Sequence, residues 1–138
     1  MAKVLKDLWI LTSTGVVVFS KVTDERINPQ LFGALMSALN SFAEKLAEGG
    51  INNFELSNLK FMVFKRRDFL FVGSSLSKVK EKKVLEELKS ISDKFFEKYP
   101  PEFLSKWDND VNAFEEFNKY IEDSFDKTPI DKLKEAFW

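Results

Sequence analysis

Residues 7–21 read DLWILTSTGVVVFSK, and this stretch decides the fold. Leu8-Trp9-Ile10-Leu11 and Val16-Val17-Val18-Phe19 are apolar runs on either side of a short polar turn. Gly15 supplies the positive φ such a turn needs, so the two runs read as a β-hairpin. A hairpin with one wet face alternates apolar and polar residues, and neither run does. Both faces of these strands need cover, which the rest of the chain must supply.

Asn28-Pro29 reads as a helix start, a cap residue followed by proline at the first helical position. The helix is expected to run to about Glu48 and stop at Gly49-Gly50. Leu31, Leu35, Ala38, Leu39, Phe42 and Leu46 recur at helical spacing and form its expected core stripe. Three strands follow: Phe54 to Ser57, which alternates, then Phe61 to Val63 with Phe64, and Phe69 to Val72. Lys65 to Asp68 joins the last two as a hairpin. Ser77 is the expected cap of a second helix reaching Tyr99, with Val84, Leu85, Leu88, Ile91, Phe95, Phe96 and Tyr99 on its apolar face. Pro100-Pro101 ends it. A third helix is expected from Ala113 to Phe125, with Phe114, Phe117, Ile121 and Phe125 in register. Asn112 and Glu115 are its expected capping box.

The order is β-β-α-β-β-β-α-α. Short connections favour an antiparallel sheet. Four of its five strands are apolar on both faces, so one helix covers one side and two cover the other. The expectation is an α/β layered (α-β-α) fold on a five-stranded antiparallel sheet. Residues 1–126 form the domain. Residues 127–138 form an amphipathic extension, with Ile130, Leu133 and Phe137 on one side.

The chain has 138 residues, 44% hydrophobic and 31% charged, with a net charge of −1. That balance suits a single globular domain and gives no bulk attraction to nucleic acid or an anionic membrane. No apolar run approaches the roughly 20 residues of a membrane span, so no transmembrane segment is expected, and peripheral membrane contact at most. Lys3, Lys6 and Asp7 interrupt any signal-peptide core. Cysteine and histidine are absent. Their absence removes disulfides, thiolate nucleophiles, the usual neutral-pH base and the commonest metal ligand. The reading is a cytoplasmic, non-enzymatic chain without catalytic residues or cofactor. In "DNDVN", Asp108, Asp110 and Asn112 begin like a calcium loop. The pattern fails at Ala113 and Lys119, which stand where glycine and glutamate are required, so no metal is expected. "TSTGVV" lacks the Gly-Lys ending of a phosphate loop.

Taken together, the "LWILTSTGVVVFSK" hairpin, the "NPQLFGALMSALNSFAEKL" helix, the "LKFMVFKRRDFLFVG" hairpin and the "KYPPEFLSKWDNDVNAFEEFNKYI" ending resemble the longin domain. That domain belongs to the profilin-like group, which also holds roadblock domains. Roadblock domains begin with a helix and this chain begins with a strand, which favours longin. The ending is similar to that of small stand-alone archaeal longin-like proteins. The resemblance implies a non-enzymatic interaction platform. Such platforms dimerise, or bind a small Ras-like GTPase, a longin- or roadblock-like subunit or a membrane-trafficking factor. SNARE fusion is not implied, since the chain has neither a long heptad segment nor a membrane span. The alternative is a small-molecule sensor whose fifteen phenylalanines line a pocket.

Two surfaces are candidates for partner binding. In a longin-like sheet the second strand lies at an edge, and Val16, Val17, Val18 and Phe19 make that edge apolar. It either adds to a partner's sheet or is covered by the terminal segment. Phe32 and Met36 flank the first helix's core stripe, and Gly33, Ser37 and Asn40 lie behind it, small or uncharged enough for close approach. Phe32 and Met36 also fit as cover for the sheet margin. From Lys60 to Lys83 there are eight basic and two acidic residues, a net of +6. Lys65, Arg66, Arg67, Lys78, Lys80, Lys82 and Lys83 therefore form a candidate basic patch for an acidic partner, phosphate or membrane surface, or a solvated face. From Asp108 to Asp126 the net is −6. No aromatic platform accompanies the bases, so nucleic acid is not expected.

Overall fold

The computed structural model describes residues 4–22, 28–48, 50–56, 59–108 and 110–121. The expected end of the third helix at Phe125 and the 127–138 extension lie outside these residues. The strands are β1 (Asp7–Thr12), β2 (Val17–Lys21), β3 (Asn53–Leu56), β4 (Leu59–Arg66) and β5 (Phe69–Leu76). The helices are α1 (Pro29–Leu46), α2 (Glu81–Lys98), α3 (Pro101–Ser105) and α4 (Asn118–Ile121), with a 3-10 helix over Val111–Phe117.

The strands form one antiparallel sheet in the order β2-β1-β5-β4-β3, with β2 at one edge as expected and β3 at the other. The register runs straight across the centre: Trp9 opposes Val72, and Val72 opposes Val63. Strand alternation then sorts the apolar side chains between two cores. Leu8, Ile10, Met62, Phe69 and Phe71 face α2, the 3-10 helix and α4. Trp9, Leu11, Phe61, Val63, Leu70 and Val72 face α1. A shift in register near Leu11 places Val18 and Phe19 together on the α2 side and leaves Val17 on the α1 side, the effect of a β-bulge. The layers are α-β-α, and the hairpin at residues 7–21 is apolar on both faces because it lies between helices.

Several local expectations change. Arg67 and Asp68 both take positive φ (49° and 65°), so β4 and β5 meet in a two-residue turn whose twist matches the strands. Ser77 does not cap α2. Val79 N–H donates to Leu76 O and closes a turn over these residues, so the helix starts later, behind Lys80, with no side-chain cap. Asn112 gives way to Asp110 as the next cap, and the segment it opens is a 3-10 helix rather than an α-helix. Its apolar residues fall as expected, with Phe114, Phe117 and Ile121 fully buried.

The largest correction concerns α1. Asn28 caps it as read, its Oδ1 accepting from Gln30 N and Leu31 N. The expected core stripe, however, faces away from the sheet. Leu31, Leu35, Leu39, Phe42 and Leu46 are 71, 55, 37, 63 and 73% exposed. The helix meets the sheet through Phe32, Gly33 and Met36 instead. Phe32 stacks on Trp9 at 4.0 Å. The turn after β1 sets this orientation. A Cβ added to Gly33 would lie 2.4 Å from Gly15 O and 2.6 Å from Val17 Cγ2, so only glycine allows helix and hairpin this close. Ser37 Oγ donates to Ser13 O at 2.9 Å and ties the next turn of the helix to the same loop.

Candidate functional site

The β2 edge is less open than its sequence suggests. Val16 precedes the strand and is exposed, whereas Val17, Val18 and Phe19 are buried. Gln30, in the first turn of α1, lies across the edge: its Oε1 accepts from Val17 N at 3.0 Å and its Nε2 donates to Val17 O at 2.9 Å. A side-chain amide thus stands where a neighbouring strand's peptide group would stand. On the other face the 3-10 helix lies against β2, and Lys21 Nζ donates to Asn118 Oδ1. Between them is an open groove of about 360 Å³ lined by Val17 to Ser20, Pro29, Gln30, Val111, Asn112, Glu115 and Asn118. A charge at Val17 would enter the core before it disturbed any edge contact.

The candidate residues on α1 are occupied within the chain. Gly33 and Met36 are buried and Phe32 is half-buried under the helix. Asn40 uses its Nδ2 on Glu44 Oε1 and its Oδ1 on Ile51 N, fastening the chain where it leaves α1. These residues hold the helix down. The surface that α1 turns outward is the leucine-phenylalanine stripe, which sequence reasoning placed in the core. One signal pointed the other way: a glycine inside a helix weakens it by roughly 1 kcal/mol, and Gly33 is best explained by close approach on its own side. The contrast with α2 is plain. Both helices have 18 residues, but α2 buries Val84, Leu88, Ile91, Ser92, Phe95 and Phe96, and α1 buries two residues.

The basic patch divides. Lys65, Arg66 and Arg67 lie at the β4–β5 turn; Lys78, Lys80, Lys82 and Lys83 lie at the far end of β5 and the start of α2. Arg66 Nη1 donates to Asp93 Oδ1 at 2.5 Å and to Ser92 Oγ at 2.9 Å. The guanidinium groups of Arg66 and Arg67 stand over the Phe96 ring at 5.2 and 5.0 Å. These arginines are built into the fold around α2. Gln30 and the outward face of α1 are the features that reading the sequence did not mark.

Lys98 is held above its usual range chiefly by Glu116, whose Oε2 lies 3.4 Å away. Burial pushes the Tyr99 phenol up, and its hydroxyl has no hydrogen-bond partner among the described residues. Among the described residues no group of three or more acidic side chains is arranged to hold a metal ion. No helix among them is long and apolar enough to cross a membrane. Two further open grooves, of about 370 and 590 Å³, lie beside Trp107.

No family model matches the chain, and no curated protein matches it. Solved structures do. The chain is similar to Myxococcus xanthus MglB, with a TM-score of 0.55 and 17% identity over 67% of this chain and 77% of that one. It is similar to a roadblock/LC7 domain from Streptomyces avermitilis, with a TM-score of 0.52 and 15% identity over 67% of this chain and 87% of that one. At such identities the likeness is one of fold. The fold is longin/roadblock-like, a five-stranded antiparallel sheet with helices packed on both faces.

Proposed function

We propose that this chain is a non-catalytic interaction domain that pairs through the outward face of α1. Its first partner is a second longin- or roadblock-like subunit, a second copy of this chain above all, and the assembly binds a small Ras-like GTPase or a trafficking factor. One observation carries the reading. An 18-residue helix exposes Leu31, Leu35, Leu39, Phe42 and Leu46 in a continuous stripe while burying two residues. Scattered exposed leucines need no explanation, but a contiguous apolar face on one helix marks an interface. Covering these five side chains stabilises an assembly by several kcal/mol, at about 1.5–3 kcal/mol for each one fully buried. Ala34, Ala38 and Ser41 lie exposed among them and leave room for another helix to approach.

The small-molecule alternative gains no support from the aromatic residues. Phe69, Phe71, Phe95, Phe96, Phe114 and Phe117 pack ring against ring, at 5.3 to 5.9 Å among neighbours such as Phe95–Phe96 and Phe71–Phe96. The GTPase part is tested by affinity capture with wild-type and Leu35→Glu baits, in GDP and in a slowly hydrolysed GTP analogue. Retention of a small GTPase by the wild type in one nucleotide state, lost with Leu35→Glu, supports it. Equal retention of the same proteins by both baits removes α1 from the account.

A further inference from the structure

The start of α2 carries charge that the fold itself does not need. Lys78, Lys80, Lys82 and Lys83 fall within six residues and are all exposed. The one acid among them, Glu81, is engaged: its Oε1 lies 3.4 Å from Lys60 Nζ. None of the four lysine side chains makes an ion pair or hydrogen bond with the described residues. Their position is electrostatically unfavourable, because the N-terminal end of a helix is its positive end and is stabilised by acids. The helix also lacks a side-chain cap. Close by, the hydroxyls of Ser75 and Ser77 are buried without hydrogen-bond partners among the described residues. Four cations and an uncapped helix start are thus left uncompensated at one pole of the molecule.

We propose that this pole binds the phosphate-bearing surface of an anionic lipid bilayer. The lysines favour a diffuse surface over a small bound anion. They are point charges on flexible stems, whereas convergent arginines suit two-pronged phosphate recognition. They line none of the three grooves described above. Each lysine near an anionic leaflet strengthens binding about fivefold, and the attraction falls off within a Debye length. Four together give weak, reversible, salt-sensitive attachment. The pole is separate from the α1 stripe, which lies on the opposite face of the sheet from α2. This inference is therefore independent of the pairing proposed above.

The test is co-sedimentation of the full chain with vesicles of phosphatidylcholine alone and of phosphatidylcholine mixed with phosphatidylglycerol. The wild type is expected to bind only the mixed vesicles, more weakly as salt rises. The combined variant Lys78→Gln, Lys80→Gln, Lys82→Gln and Lys83→Gln is expected to lose more than a hundredfold in affinity. A control carrying Lys45→Gln, Lys89→Gln, Lys106→Gln and Lys119→Gln has the same net charge and is expected to keep most of its binding. Circular dichroism checks that both variants fold. Failure of the wild type to bind mixed vesicles overturns the proposal, and so does an equal loss in the control. Retention of the wild type on immobilised polyglutamate without vesicle binding also overturns it, in favour of an acidic protein. Release from vesicles by inorganic phosphate at constant ionic strength overturns it in favour of a discrete phosphate site.

Discussion

At the scale of single residues, Gly33 and Tyr99 make opposite predictions. In an ordinary helix Gly→Ala gains about 1 kcal/mol. Here the added carbon would meet Gly15 O at 2.4 Å, and a backbone carbonyl in a tight turn has little room to move. Overpacking costs about 1–3 kcal/mol, so Gly33→Ala is expected to destabilise the fold by about 1–2 kcal/mol in urea unfolding. Tyr99 buries a hydroxyl with no partner among the described residues. Tyr99→Phe removes that uncompensated group and is expected to stabilise by about 1 kcal/mol. The two also differ in pH dependence. Burial raises the folded phenol above its ordinary range, so the folded chain keeps a proton that the unfolded chain loses. That contribution is intact below about pH 10 and disappears as pH rises through the folded value. Wild type is expected to lose more stability than Tyr99→Phe between pH 9 and pH 11. Equal losses would mean the phenol is not buried.

At the scale of elements, β2 and α1 depend on each other through one side chain. Gln30→Ala deletes two hydrogen bonds to Val17 and is expected to cost about 1–2 kcal/mol. Amide exchange should show Val17 losing protection while Phe71, in the central strand, keeps it. The same pair of elements shows where sequence reading stops. Asn28-Pro29 identified the start of α1, and spacing alone identified the buried face of α2, because only one of its faces is apolar. For α1 spacing gave the wrong side. Its leucines form the stronger stripe, yet the side facing the sheet is set by a close approach of Gly33 to Gly15, eighteen residues apart in sequence. Periodicity describes one helix and holds no information about which neighbour comes nearest. The misplaced caps have a similar cause. Ser77 and Asn112 are good cap residues, but the Leu76–Val79 turn and the Asp110 side chain settled those ends first.

For the whole molecule, the sheet separates two outward surfaces. The α1 stripe is apolar and the start of α2 is cationic, and they belong to opposite layers. The layered architecture was legible because unbroken apolar strands require cover on both faces. The outward turn of α1's apolar face was not, because an outward helix face and a core face can carry the same leucines. The central claim, that α1 pairs two copies, is tested most directly by sedimentation equilibrium over a range of micromolar concentrations. Wild type is compared with Leu35→Glu and Phe42→Glu, both at exposed positions where substitutions shift folding stability by no more than about 0.5 kcal/mol. The expected result is a wild-type mass rising to twice the 16.0 kDa chain, with both variants staying at 16.0 kDa and unfolding at the wild-type urea midpoint. A wild type that remains at 16.0 kDa throughout, or variants that dimerise as it does, would contradict the claim.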